Sequence, residues 1–446
     1  MRFSPAHLYA QLRVVPQTGH CWIAYSGGAD SHVLLHAMVA LRDRLPYALG
    51  AVHVNHGLHV EAGQWERHCR EVCRALGVSW AVLRVQGRHG RGESPEAAAR
   101  AARYAALADW LPAGHCLLSA QHQDDQAETL LLQLLRGSGV KGLAAMPSQS
   151  VLGAGFLVRP LLGFSRRALL DYAAARDLCW VEDPSNRDVG LDRNYLRRRV
   201  VPELRRRWPA MAESISRSAR HCAEAAAIME QLARDDVAEL ACVPAGTLRV
   251  SGLQALSADR QRNALRYWLR KRAANAPSTA VLTRMVHDLL GSRRDAGPCV
   301  RWEGFEARRY RDRLYLLRQK TAPLPGEVLE WDVRGPLELP HAGGMLTAIS
   351  ATGQGLRADA VSRGRVQVRF RQGGERCRPA GRRHHHLLKK LFQENAIPPW
   401  ERTRIPLIYI DNALAAVADC WDCEPFAAVA GEPGLVIQWQ RGVHPD

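Results

Sequence analysis

The densest chemical signal in the chain is Ser26-Gly27-Gly28-Ala29-Asp30-Ser31. It falls between an apolar run, HCWIAY, and a segment whose Leu34, Met38, Leu41 and Leu45 recur at helical spacing. Two glycines let the backbone turn tightly and bring its N–H groups close to a ligand. The helix that follows aims the positive end of its dipole at the same spot. Ser26 and Ser31 add hydroxyls, and Asp30 adds a carboxylate able to coordinate a divalent cation. The chemistry is capture of phosphate or pyrophosphate. A bare S-G-G would read as an ordinary capped turn; the six-residue pattern at a strand–helix junction outweighs that reading. No G-x-x-x-x-G-K-[ST] loop is present. A G-x-G-x-x-G does occur, from Gly137 to Gly142, but it follows a helix-like run rather than a strand, so it is not a dinucleotide fingerprint.

Three further groups fall where the same sheet edge should lie. His53-Val54-Asn55-His56 ends the second strand candidate. Gln121 to Thr129, QHQDDQAET, opens a helix on which Asp124, Asp125 and Glu128 turn toward one side. Such carboxylates could hold magnesium or a substrate ammonium, or merely complement the helix dipole. Arg100 and Arg103 lie on the helix before it, either on a solvated face or beside a bound phosphate.

The elements that must position these residues alternate. Strand candidates end near 28, 55, 85 and 122, each followed by a helical stretch, and FLVRPLLGF with SRRALLDYAAARD makes a fifth pair. Strand–helix alternation implies right-handed crossovers and a parallel α/β sheet, with ligands at the carboxyl ends of its strands. Near residue 190 the pattern changes. RNYLRRRVVPELRRRW reads as a basic helical stretch broken at Pro202, more helices follow, and VRWEGFEARRYRDRLYLL reads as a hairpin. TAPLPGE, 321–327, reads as a linker to a small mixed α/β domain. The expected domains are therefore 1–215, 216–322 and 323–446.

Among 446 residues, Lys and Arg number 61 against 44 Asp and Glu, for a net charge of +17 and a pI near 9.8. Only five are lysine, and a GC-rich genome would account for that preference but not for the excess of base over acid. Such charge favours polyanionic partners, nucleic acid first. Seven arginines stand between Arg365 and Arg383 against one acid, Glu375, so most are expected to face solvent or phosphate. His384-His385-His386 and the Cys420/Cys423 pair lack neighbours that would complete a metal site. Eleven scattered cysteines fit a reducing cytoplasm, and no apolar run reaches the ~18 residues of a membrane helix.

Together these motifs resemble the tRNA(Ile)-lysidine synthetases of the PP-loop ATP-pyrophosphatase superfamily. The S-G-G-x-D-S loop carries the superfamily. H-V-N-H, H-x-x-D-D-Q-A-E-T, Arg136 to Leu143, Arg159-Pro160-Leu161-Leu162, Glu182 to Asn186 and Arg193-Asn194 carry the family, as does the stretch from Leu388 through Lys389-Lys390 to Trp400. His59 departs from the Arg expected after H-V-N-H-G-L. The resemblance implies a PP-loop ATP-binding catalytic domain, a mostly helical tRNA-binding middle domain and a tRNA-binding C-terminal domain. It implies ATP and Mg2+ as cofactors, free L-lysine and a tRNA(Ile) with a CAU anticodon as substrates, and neither a membrane nor an obligatory protein partner. ATP would activate the wobble cytidine as an adenylate, and the lysine amine would displace AMP. Ser26 to Ser31 with His56 would bind ATP. Asp30 and Asp124 would hold metal, and Asp30, Arg103, Asp125 and Glu128 would act in catalysis. Arg193, Arg197, Arg205, Arg376, Arg378, Arg382, Arg383, Lys389 and Lys390 would meet tRNA. A tRNA thiolase of the same superfamily and a non-catalytic RNA-binding relic are the alternatives; the intact loop and carboxylate cluster speak against the second.

Overall fold

Short apolar runs alternating with amphipathic stretches build a sheet in the first half of the chain. The computed structural model describes residues 2–16, 18–55, 57, 61–85, 95–243, 246–272, 277–293, 297–319, 326–340 and 342–441. His56, His59 and most of the linker candidate 321–327 lie outside them. The chain divides into two compact units, Met1–Gln231 and Leu232–Asp446.

In the first unit, strands β1 (His20–Ala24), β2 (Ala48–Asn55), β3 (Ser79–Arg84), β4 (Cys116–Leu118), β5 (Gln149–Leu152) and β6 (Gly155–Val158) form one sheet in the order β3-β2-β1-β4-β6-β5. All neighbours are parallel except β5, which pairs antiparallel with β6. The sequence pattern predicts only parallel strands. The turn at Gly153, with φ +56°, folds β5 back onto β6, and an added Cβ there would meet the Ala108 carbonyl oxygen at 2.0 Å. The chain leaves β1 toward β2 and β3, then crosses back to β4, so the order reverses between β1 and β4. At such a switch point the loops after the two strands splay apart and leave a crevice.

Helices α1 (Ala29–Val39), α2 (Ala62–Ala75), α3 (Pro95–Trp110), α4 (Gln123–Leu135) and α5 (Arg166–Ala174) cover the sheet. On α1, Val33, Leu34, Leu35, Ala37 and Met38 are fully buried against Ile23, Tyr25 and Phe164. Burying each large side chain contributes roughly 1.5–3 kcal/mol, so the loop before α1 rests on a fixed platform. Beyond α5, residues 192–207 remain helical through Pro202, contrary to the expected break. A π-turn at Leu196–Val200 precedes the proline, which occupies the first turn of Val201–Arg207, where its missing N–H costs no hydrogen bond.

The second unit begins inside a long helix, α6 (Met211–Leu240). A five-stranded antiparallel sheet follows: β7 (Ala241–Cys242), β8 (Thr247–Arg249), β9 (Cys299–Trp302), β10 (Phe305–Tyr310) and β11 (Arg313–Arg318), in the order β7-β8-β11-β10-β9. The segment expected as one hairpin is thus three strands. Helix α7 (Ala258–Arg272) shares with this sheet a core of Leu265, Trp268, Leu269, Met285 and Val300. Arg309, only 4% exposed, donates from Nη1 to the carbonyls of Leu289, Leu290 and Ser292 at 3.0–3.2 Å, satisfying a helix end. Residues 328–440 add antiparallel sheets around Val366–Arg369 with Leu407–Ile410, and Met345–Thr352 with Pro433–Gln440.

Candidate active site

The loop after β1 folds as a small hydrogen-bonded cage. Ser31 Oγ donates to the Gly28 carbonyl at 2.9 Å and lies 3.1 Å from Ser26 Oγ, while the Gly28 N–H donates to Ser26 Oγ at 3.4 Å. Gly27 has φ +86°, and a Cβ on it would meet Cys69 Sγ at 2.9 Å, so both conformation and packing require glycine. No side chain caps the N-terminus of α1, which leaves its first N–H groups to a ligand.

Asp30 is the acidic residue of that first turn. Its Oδ2 lies 3.6 Å from Nε2 of His122, which follows β4 and is 1% exposed. His122 also forms the N-cap of α4, where its Nδ1 accepts from the Asp125 N–H at 3.3 Å and its own N–H donates to Asp125 Oδ2 at 3.1 Å. The imidazole therefore ties the phosphate loop to the acidic helix across the switch point. Burial works against charging His122, but Asp30, Asp125 and Asp124 outweigh it and hold its pKa above the ordinary value of 6.5. Burial likewise pushes the Asp30 carboxyl up, yet His122, Arg166 and Arg197 bring it below its usual value. Sequence reasoning marked His122 only as part of a motif and gave it no role, and it gave Arg166 none. The available signal was a histidine at the cap position of an acidic helix.

The carboxylates of α4 are buried and paired. Glu128 Oε1 accepts from Arg197 Nε at 2.7 Å, and Glu128 Oε2 accepts from Arg193 Nε at 3.0 Å. Asp125 Oδ1 accepts from Arg197 Nη2 at 2.8 Å. Asp124 pairs with Arg205 and accepts the Arg166 N–H at 2.8 Å. The structure thus joins two sets that the sequence separates, the carboxylates of α4 expected to act in catalysis and the arginines of 192–207 expected to meet tRNA. The arginine side chains remain 22%, 30% and 49% exposed at Arg193, Arg197 and Arg205, so one flank of the network meets solvent.

One atom stands out as unsatisfied. Asp30 Oδ1 is buried without a hydrogen-bond partner among the described residues; its nearest cation is Arg166 Nε at 3.8 Å. A carboxylate oxygen left open beside a phosphate cradle fits a magnesium site, which takes one or two carboxylates and completes its shell with phosphate oxygens and water. Asp124 fits less well, because both its oxygens are already engaged.

At the end of β2, His53 is buried, bonds the Tyr25 carbonyl through Nδ1 at 3.0 Å and stacks on Trp80. Burial lowers its pKa, and the charge of Arg103, exposed on α3, adds to that lowering. Arg100 lies over the Tyr104 ring at 5.1 Å.

In the second unit, the premise that arginines between 365 and 383 lack acidic partners fails. Glu330, Glu424 and Glu394 come from distant segments to pair with Arg365, Arg378 and Arg382 at 2.6, 4.0 and 3.1 Å. Arg371 takes Glu375 at 3.5 Å. Arg376 and Arg383 have no ion pair among the described residues, and Lys389 and Lys390 are exposed.

Comparison with known proteins finds three domain families along the chain. Residues 5–204 match the PP-loop domain, 248–315 the TilS substrate binding domain and 366–439 the TilS substrate C-terminal domain. A protein of Methylococcus capsulatus named tRNA(Ile)-lysidine synthase is 46% identical over 94% of this chain and 95% of that protein. One of the same name from Coxiella burnetii is 43% identical over 98% of this chain and 97% of that protein. A solved TilS C-terminal domain is 24% identical over 26% of this chain and 98% of that structure, with a TM-score of 0.23.

Proposed function

The chain belongs to the tRNA(Ile)-lysidine synthase family, and from that premise we propose that it ligates lysine to the wobble cytidine of a tRNA(Ile) bearing a CAU anticodon. Cleavage of ATP to AMP and pyrophosphate drives the reaction through an adenylated cytidine. The observation that carries this reading is the joining of Asp30, through His122, to the carboxylates of α4 at the switch point.

Pyrophosphate departure builds negative charge where the N–H groups of the Ser26–Ser31 loop and α1 converge. Asp30 would hold Mg2+ through its open oxygen, and the ion would neutralise charge on the phosphates. Arg103 would counter adenylate charge. Glu128 and Asp125 would receive the lysine ammonium by exchanging part of their contact with Arg193 and Arg197. The domain limits 1–215, 216–322 and 323–446 and a cytoplasmic site of action belong to the same reading; no described helix is long and apolar enough to cross a membrane.

Of the five cysteines in the catalytic half only Cys179 is exposed, so a thiolase mechanism would have no second accessible thiol to work with. Cys21, Cys69, Cys73 and Cys116 are buried, and burial pushes the Cys69 and Cys73 thiols up to about 12, away from the reactive thiolate. The deciding experiment is ATP–pyrophosphate exchange with tRNA present, followed by incorporation of labelled lysine. Exchange without lysine transfer would leave a PP-loop adenylating enzyme of other specificity. Absence of both would remove the proposal.

A further inference from the structure

Within Leu232–Asp446 lies a cavity of about 1020 Å3 lined by seven Lys and Arg side chains and only two carboxylates, Glu306 and Glu401. Both acids are muted. Glu306 is bridged by Arg308 at 2.8 Å and Arg301 at 3.3 Å, and burial raises the Glu401 carboxyl above its usual value. The aromatic lining carries a cation over each ring: Arg318 over Phe305 at 5.5 Å, Arg308 over Trp400 at 5.4 Å and Arg441 over Trp439 at 4.7 Å. Trp400 Nε1 is buried without a hydrogen-bond partner among the described residues, an open donor on the wall.

We propose that this cleft binds unpaired ribonucleotides, a deepening that rests on the tRNA reading above. Bases in a duplex are already stacked and offer no free face to a side chain. An unpaired base offers one, and aromatic rings flanked by guanidinium groups are its usual seat. Trp439 and Trp400 supply the rings, and Arg318 and Arg441, neither with an ion pair among the described residues, supply the cations that meet phosphate. The volume reaches the top of the roughly 300–1,000 Å3 that encloses a drug-sized ligand, so one nucleotide and its neighbour fit. The unpaired 3′ end of a tRNA and an exposed loop share this chemistry.

Fluorescence anisotropy of the full chain with a labelled single-stranded RNA octamer tests the proposal, against the same octamer in a blunt duplex and a polyglutamate peptide. The octamer should bind. R318Q/R441Q, both exposed positions, should weaken it about tenfold and flatten the salt dependence by about 0.7 for each phosphate no longer neutralised. Trp439→Leu should weaken it about fivefold or more with the slope unchanged, as removal of one stacked base requires. Equal binding of duplex or polyglutamate, or no change in R318Q/R441Q, overturns the proposal. As competitors, intact tRNA and tRNA trimmed of its unpaired 3′ nucleotides separate the sources. Loss of competition on trimming assigns the 3′ end, retained competition assigns a loop, and failure of both tRNAs to compete overturns the idea. Lysine incorporation measured alongside keeps the readings apart, since its absence removes the proposed reaction while the octamer arms stand by themselves.

Discussion

Arginine meets carboxylate in two regions of this molecule, with opposite physical character. On α4, three buried acids pair with three arginines from one helical stretch, with Asp125 and Glu128 sharing Arg193 and Arg197 and Asp124 taking Arg205. Around Arg365–Arg382, the pairs of Arg365, Arg378 and Arg382 are open to solvent and each drawn from a different segment, while Arg371 takes its neighbour Glu375. Exposed pairs of the second kind contribute roughly 0–1 kcal/mol, because water and salt screen them. Networks of the first kind cost desolvation to build, and losing one partner leaves a charge stranded, typically at about 3–5 kcal/mol. Identical residue types thus make a rigid site in one place and an adaptable, salt-sensitive surface in the other.

Breaking the buried region should produce the largest effect. Asp30→Ala removes the open carboxylate oxygen from the phosphate loop, and exchange of pyrophosphate into ATP should fall by about 10²–10³-fold. Affinity for tRNA should stay within a few-fold by filter binding; normal turnover would move the metal elsewhere.

Glu128→Gln comes next. It leaves Asp125 as the one acid pairing Arg193 and Arg197, and denaturant unfolding should show a loss of about 2 kcal/mol, reduced from the full cost of a buried pair because Asp125 remains and both arginines reach solvent. If Glu128 reads the lysine ammonium, lysine KM should rise while adenylate formation persists. Loss of both steps together would assign it to structure or metal.

The His122 bridge sharpens the contrast through pH. Its folded pKa is raised, so its contribution is fully present below the ordinary value of 6.5 and is lost as pH rises through the higher folded value. Asp30, with a lowered pKa, behaves oppositely, losing its contribution only as pH falls below the usual carboxylate range. Stability of the wild type should therefore decline as pH rises above 6.5, and His122→Gln should lack that decline. Parallel curves for the two proteins would show that the imidazole is not the titrating bridge.

The smallest effect belongs to the exposed region. Arg376 and Arg383 lack ion pairs among the described residues, whereas Arg378 and Arg382 are partnered. R376Q/R383Q should flatten the salt dependence of tRNA binding by about two units, one for each phosphate released. R378Q/R382Q should change it less, and the reverse ranking would mean that those ion pairs open on binding.

Local chemistry was the legible part of this chain. The glycine loop, the acidic opening of α4 and the strand–helix alternation each lie within a few residues of sequence, and local pattern reads them directly. What escaped needed distance. Glu330 and Arg365 are 35 residues apart, and Glu128 and Arg197 are 69 apart, so no local count of acids could pair them. His122 escaped for another reason: capping and bridging use the same imidazole, and only the placement of β4 beside β1 puts Asp30 on its far side. The antiparallel β5 was hidden because a four-residue strand ahead of a glycine turn carries too little periodicity to register.

The π-turn at Leu196–Val200 bears on how this gene can vary in length. It inserts extra winding between the arginines that grip Asp125 and Glu128 and the one that grips Asp124. Loss of a single codon from 198–200 would leave an ordinary, even better-formed helix, yet it would swing Arg205 by about 100° and carry it off Asp124. The geometry of this stretch therefore depends on residue count as well as residue type: substitutions at its exposed arginines should disturb the network less than a change of reading length.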